Sequence, residues 1–127
     1  MSHYSISKVE LKGANLDLLR RALENIAQRQ GGKIVNEIRD YYGNLRSDID
    51  IGIITPKLHR GVGIRVKEDG IELVGDFYGY RHHFENFKQE LLMEYTAVAM
   101  EDALQEMGYM VQEEREGESI VLRAYEM

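Results

Sequence analysis

At 127 residues, 43% of them hydrophobic, the chain has the length of one ordinary domain and enough apolar side chains for a core that needs no metal or disulfide. It contains no cysteine, which excludes a disulfide framework, thiolate zinc sites and thiol catalysis and suits a reducing compartment. Its formal charge of -6, from 22 acidic against 16 basic residues, works against binding a phosphate backbone, and no apolar run approaches the roughly 20 residues of a membrane span. The expectation is one soluble, cytoplasmic domain over residues 1–127, with neither nucleic acid nor membrane as a partner.

Tyr4 to Lys12 predicts a strand, but Tyr4 and Ile6 have one parity and Val9 and Leu11 the other, so a bulge is expected near Ser7 and Lys8. Asn15 is placed to cap a helix, with Asp17 in the first turn where the macrodipole favours an anion. Leu16, Leu19, Leu23 and Ile26 recur at helical spacing, and Gly31 and Gly32 stop the helix. Lys33 to Arg39 predicts a strand and Tyr42, Gly43 and Asn44 a tight connection. From Leu45 to Ile54 the chain alternates, with Leu45, Ile49, Ile51 and Ile53 on one side and Arg46, Asp48 and Asp50 on the other, before Thr55, Pro56 and Lys57 break the strand.

The pair Asp69-Gly70 suits a two-residue type I′ hairpin, in which both loop positions need φ > 0. A turn there pairs Lys67 with Glu72, Val66 with Leu73 and Val62 with Phe77. Val62, Ile64, Val66, Leu73 and Phe77 then share an apolar face, and Arg65, Lys67, Glu72, Asp76 and Tyr78 a wet one. One long helix is predicted from His82 to Met107, its stripe running Phe84, Phe87, Leu91, Tyr95, Val98, Ala99, Ala103 and Met107, with Gly108 as the stop. Two strands follow, Tyr109 to Glu113 and Ser119 to Tyr125, turning near Glu116-Gly117 so that Val111 faces Leu122 and Tyr109 faces Ala124.

These elements give an α+β fold, a mostly antiparallel sheet of about seven strands with two helices on one face. A weak internal echo sets Ala22 to Ile26 and the following Gly32-Lys33-Ile34-Val35 over Ala103 to Met107 and Gly108-Tyr109-Met110-Val111. If the echo is a duplication, the sheet consists of two β-α-β-β halves with a seam between them, a common place for a pocket.

Met1-Ser2-His3-Tyr4-Ser5, Ser47-Asp48-Ile49-Asp50-Ile51, Val74-Gly75-Asp76-Phe77-Tyr78-Gly79, Glu94-Tyr95-Thr96-Ala97 and Gly108-Tyr109-Met110-Val111 together resemble a family of small conserved hypothetical proteins of plastid and cyanobacterial genomes. The family has Phe where Tyr4 stands, an aromatic pair that often includes Trp where Phe77 and Tyr78 stand, and Arg where Glu94 stands, so this chain is a divergent prokaryotic relative. No activity is attached to that family; the resemblance implies a fold and a cytosolic or stromal setting, and carries over no catalytic residue.

Asp76, Tyr78, Tyr80, Arg81, His82 and His83 lie within eight residues where a strand ends and a helix begins. Free helix N–H groups, two phenols, an arginine and two imidazoles at one place could hold a small carboxylate or phosphate. The plainer role of the same residues is to anchor a turn and start a solvated helix. Asp48 and Asp50, at i and i+2, are expected on one sheet face, where Asp76 could join them for divalent-cation or acid–base chemistry with a histidine, although a solvated face has the same pattern. No zinc spacing, phosphate loop or nucleophile motif occurs, so no metal, cofactor or catalytic residue is assigned. The expected function is a non-catalytic module binding a small ligand or a protein near Asp76 to His83, with an enzyme using Asp48, Asp50 and Asp76, or a homodimer pairing edge strands such as Ser119 to Tyr125, as the alternatives.

Overall fold

The protein, seen in a computed structural model, is described over residues 4–11 and 13–127. Lys12, expected to end the first strand, and Met1 to His3, which carry part of the resemblance, lie outside the described residues. The order of elements is β1 (Tyr4–Glu10), α1 (Leu16–Gln30), β2 (Lys33–Val35), β3 (Ile38–Arg39), β4 (Leu45–Arg46), β5 (Ile51–Thr55), β6 (Leu58–Lys67), β7 (Gly70–Asp76), α2 (Arg81–Glu106), β8 (Tyr109–Glu116) and β9 (Ser119–Glu126). The fold is α+β and antiparallel as expected, but the main sheet has five strands in the order β1-β7-β6-β5-β2. β3-β4 and β8-β9 form separate two-stranded ribbons, so the last two strands do not complete a second half within one sheet. Among the described residues no helix is long and apolar enough to cross a membrane.

Asn15 caps α1 by accepting hydrogen bonds from the Asp17 and Leu18 N–H groups, and Gly31 ends the helix in the left-handed conformation at φ 69°. Leu19, Ala22, Leu23 and Ile26 are buried, whereas Leu16 is exposed. On α2 the stripe from Phe84 to Val98 is buried, and it fades after Ala99, since Ala103 and Met107 face outward. Both helices cover the face carrying Ile51, Ile53, Val62, Ile64, Ile71, Leu73 and Phe77. α1 links β1 and β2, the two edges of the sheet, and therefore crosses every strand between them.

The opposite face is covered in part, over β5 and β6. Gly52 and Gly63 are cross-strand partners, and a Cβ on Gly52 would come within 3.0 Å of Ile49 Cδ1, while one on Gly63 would collide with Ile49 Cγ2. Gly61, at φ 95°, would likewise meet Ile38 Cγ2 at 2.7 Å. Glycines thus open the sheet surface to Ile38 and Ile49, and the β3-β4 excursion lies on it as a thin second layer.

β1 pairs with β7 without interruption from Tyr4↔Asp76 to Glu10↔Gly70, so the bulge expected at Ser7 and Lys8 is absent. The parity change arises because the strand serves both faces: Val9 and Leu11 join the helix-side core, and Ile6 stays exposed on the other side. The β6-β7 faces follow the expected division, but the register is displaced by two residues, with Lys67↔Gly70, Val66↔Ile71 and Ile64↔Leu73. The loop is Glu68-Asp69, and Gly70 has no positive φ. Glycine is required at position 70 because a Cβ would strike the Val9 carbonyl of β1. β8-β9 is displaced by two in the other direction, Val111↔Ala124 and Tyr109↔Glu126. Its loop is Gly117-Glu118, with Gly117 at φ 61° in the first position, as a type II′ turn requires.

Candidate functional site

Between Ile53↔Val62 and Thr55↔Leu58, β5 contributes one residue, Ile54, against three on β6, His59, Arg60 and Gly61. This bulge, eased by the positive φ of Gly61, re-aims Arg60 towards the end of β7. Arg60 Nη1 donates to the Asp76 and Tyr78 carbonyls at 3.4 and 3.1 Å and lies 3.6 Å from Asp76 Oδ1. Its guanidinium sits 4.9 Å from the ring centroids of both Tyr41 and Tyr80.

Asp76 has the outward parity expected of it, yet it is 0% exposed, because the β3-β4 connection covers that face. Its carboxylate accepts from the Tyr41 N–H at 2.8 Å and the Tyr78 N–H at 3.3 Å. The connection itself is shaped by buried Asp40, whose carboxylate accepts from the Tyr42 and Asn44 N–H groups at 2.9 and 3.0 Å. Burial raises the Asp40 pKa, but the hydrogen bonds from Asn44 and Tyr42, with Arg46 nearby, outweigh it and hold the group below its ordinary value.

The exposed rings of Tyr41, Tyr42 and Tyr78 form a rim over this centre, with edge-to-face contacts of 5.4 Å (Tyr41–Tyr42) and 5.6 Å (Tyr41–Tyr78). Beside the rim an open pocket of about 380 Å³ is lined by Tyr4, Ser5, Phe77, Tyr78, Gly79 and Arg81. Tyr80 occupies the N-cap position of α2 without a side-chain cap bond, and no acidic residue stands in the first turn, so the leading N–H groups of the helix are left for other acceptors. The Tyr80 hydroxyl is buried. Burial, and then the charge of Asp76, raise its pKa against the opposing pull of Arg60.

Of the residues singled out in the sequence, Asp76, Tyr78, Tyr80 and Arg81 therefore meet around one corner. His82 and His83 leave it along α2: exposed His82 lies 3.3 Å from Asn86 Nδ2, and His83 faces a small pocket with Thr55, Leu58 and Phe87. Asp48 and Asp50 are not on the wet side of a strand, because residues 47–50 cross between β4 and β5. Asp48 bonds to the Arg65 guanidinium and lies 3.8 Å from Arg46, while Asp50 accepts from the Val66 N–H at 2.7 Å. Both hold the crossing segment to β6. Among the described residues no group of three His, Asp or Glu side chains is placed to hold a metal ion.

Sequence reasoning missed Arg60 and Tyr41 at this corner, and it missed Glu94 altogether as a structural centre. Glu94 is 0% exposed and accepts from Arg115 Nη2 at 2.7 and 2.9 Å and from Asn25 Nδ2 at 3.1 Å, with Arg29 Nη1 at 3.2 Å. Its legible signal was a carboxylate three residues after Leu91 and next to Tyr95, inside the apolar stripe. Comparison with protein-family models, curated proteins and solved structures finds no match to this chain.

Proposed function

We propose that the protein is a non-catalytic module that binds a small ligand, an aromatic or apolar body bearing a carboxylate or phosphate, at the corner where β7 passes into α2. The observation that carries this reading is the rim of exposed tyrosines set beside the Arg81 pocket. Aromatic rims offer contact area at low entropic cost, and Arg81 with the uncapped N–H groups of α2 supplies positive potential for an anion. Arg60 and Asp76 act as the rigid base, since one arginine fixes two carbonyls, a carboxylate and two rings. The cysteine-free composition and the resemblance to the plastid and cyanobacterial family support a cytoplasmic setting.

Asp48, Asp50 and Asp76 support acid–base or cation-dependent chemistry less well, because each is already committed to a guanidinium or to backbone N–H groups. Phenyl phosphate, benzoate and inorganic phosphate, titrated into isotopically labelled protein, separate the cases. The expected result is amide shifts confined to Ser5, Tyr78, Gly79 and Arg81, strongest with phenyl phosphate, and an affinity about tenfold weaker in Arg81→Ala or Tyr78→Ala, equivalent to about 1.4 kcal/mol. Shifts that are absent, or scattered over the surface, would overturn the assignment.

A further inference from the structure

The negative charge of the chain is gathered at one end. From Glu90 to Met127 there are ten acidic and two basic residues, whereas the 89 residues before them carry 14 basic against 12 acidic. Glu90, Glu94 and Asp102 are paired with arginines, but among the described residues Glu101, Glu106, Glu118 and Glu126 have no cationic partner. The same region holds an open groove of about 590 Å³, with Met93, Thr96 and Met100 of α2 on one side and Ile120 and Leu122 of β9 on the other; Glu118 is the one charged residue lining it. No residue of β8 lines the groove, so it runs along the edge of β9 that faces away from β8. That edge is free: β9 pairs only with β8, over eight residues that include neither a proline nor a bulge. An edge of this kind offers backbone N–H and C=O groups to another strand, and a two-stranded hairpin, marginal in water, gains from a third.

We propose that the groove takes an extended, basic segment of another protein, which adds to β9 as a third strand. Such a strand lies about 4.8 Å from β9, and therefore over the α2 side of the groove. Every second side chain of the segment then points at Met93, Thr96 and Met100 and is apolar; the alternate ones are Lys or Arg. Backbone hydrogen bonds to β9 supply affinity, and the alternating side chains supply specificity. The exposed methionines, flexible and polarisable, adapt to the apolar set. The basic set meets the unpaired carboxylates: Glu118 precedes β9, Glu126 ends it, and Glu101 and Glu106 follow along α2. Charge decides against a second copy of this chain, which brings the same carboxylates to the same place. The groove shares no lining residue with the pocket beside Tyr78 and Arg81, so either site can fail without the other.

The probe is a capped seven-residue peptide of alternating lysine and valine, titrated into the full chain labelled at backbone amides and methionine methyls. Three further peptides serve as comparisons: the same sequence N-methylated at alternate residues on either register, oligolysine of equal length, and a basic amphipathic helix. The expected result is saturable binding of one peptide per chain, with shifts confined to the amides of β9 and the methyls of Met93 and Met100. N-methylation on the register that faces β9, and the variants Glu118→Lys and Met100→Lys, should each weaken it at least about tenfold, with the melting temperature of either variant unchanged. The proposal is overturned if the alternating peptide leaves β9 unshifted up to about 1 mM. It is equally overturned if oligolysine and both N-methylated peptides bind as tightly, which would show attraction by charge alone, or if the helix fills the groove and the alternating peptide does not.

Discussion

The five-stranded sheet and the β8-β9 hairpin are built from similarly alternating strands and are held in place by different means. The sheet is covered by the helices on one face and, over β5 and β6, by Ile38 and Ile49 seated over glycines on the other. The hairpin has one partner surface, α2, and no fully buried residue. Each region is fastened by a fully buried carboxylate. Asp76 ties the sheet to the β3-β4 connection through backbone N–H groups and Arg60, whereas Glu94 ties the hairpin to both helices through the ends of long side chains. Alternation therefore identifies a strand, and burial on a second face decides whether it becomes rigid. Opening free energies should follow that division, low in the hairpin and near the global value in β5, β6 and β7.

The largest test removes the cation at the sheet's corner. Arg60→Ala takes the guanidinium away from a buried carboxylate, and urea unfolding should show a loss of about 3–5 kcal/mol; a loss below about 1 kcal/mol would mean that the corner behaves like a surface pair. Next, Gly63→Ala forces Ile49 off the sheet, and overpacking of this sort costs about 1–3 kcal/mol. The same substitution at Gly117 should leave the sheet's exchange rates untouched.

Arg115→Ala addresses the hairpin. Glu94 keeps Arg29 and Asn25, so the expected loss is about 1.5 kcal/mol, the low end for a hydrogen bond to a charged group. Hydrogen exchange should quicken about tenfold in β8 and β9 and not in β6; uniform acceleration would show that the hairpin and sheet open as one unit. The smallest effect concerns pH. The folded-state pKa of Asp40 lies below its ordinary value, so its contribution is present above that value and is lost as pH falls through the folded-state pKa. Asp40→Asn should flatten the acid limb of the stability profile and leave stability at neutral pH lower than in the parent.

Much of this architecture was legible. The Asn15 cap, the Gly31 stop, the core stripe of α2 and the division of faces on β6-β7 follow from local chemistry and are found as expected. Both hairpin registers were misplaced by two residues, because a glycine marks a turn without saying why it is needed. Gly70 answers to the neighbouring β1 backbone, and Gly117 takes the first loop position, not the second. Parity sent Asp76 outward correctly but could not show that another segment covers that face. Asp48 and Asp50 were misplaced because alternation continues through residues 47–50, where the backbone leaves the strand. Arg60 was invisible for a related reason: its direction depends on a bulge that forms only when β5 is paired. The partners of Glu94 come from two other elements, α1 and β8, and lie up to 69 residues away, beyond the reach of any local pattern.

The pairing of β1 with β7 also sets an order of events. Tyr4 meets Asp76, 72 positions later, while β6 and β7 are joined through a two-residue loop. During synthesis at about 5–20 residues per second, β1 must wait several seconds for its neighbour. The β6-β7 hairpin can close in microseconds once it emerges. The first strand made is thus among the last to find its place, and the long loop it closes makes this a slower-folding topology than its helix content suggests.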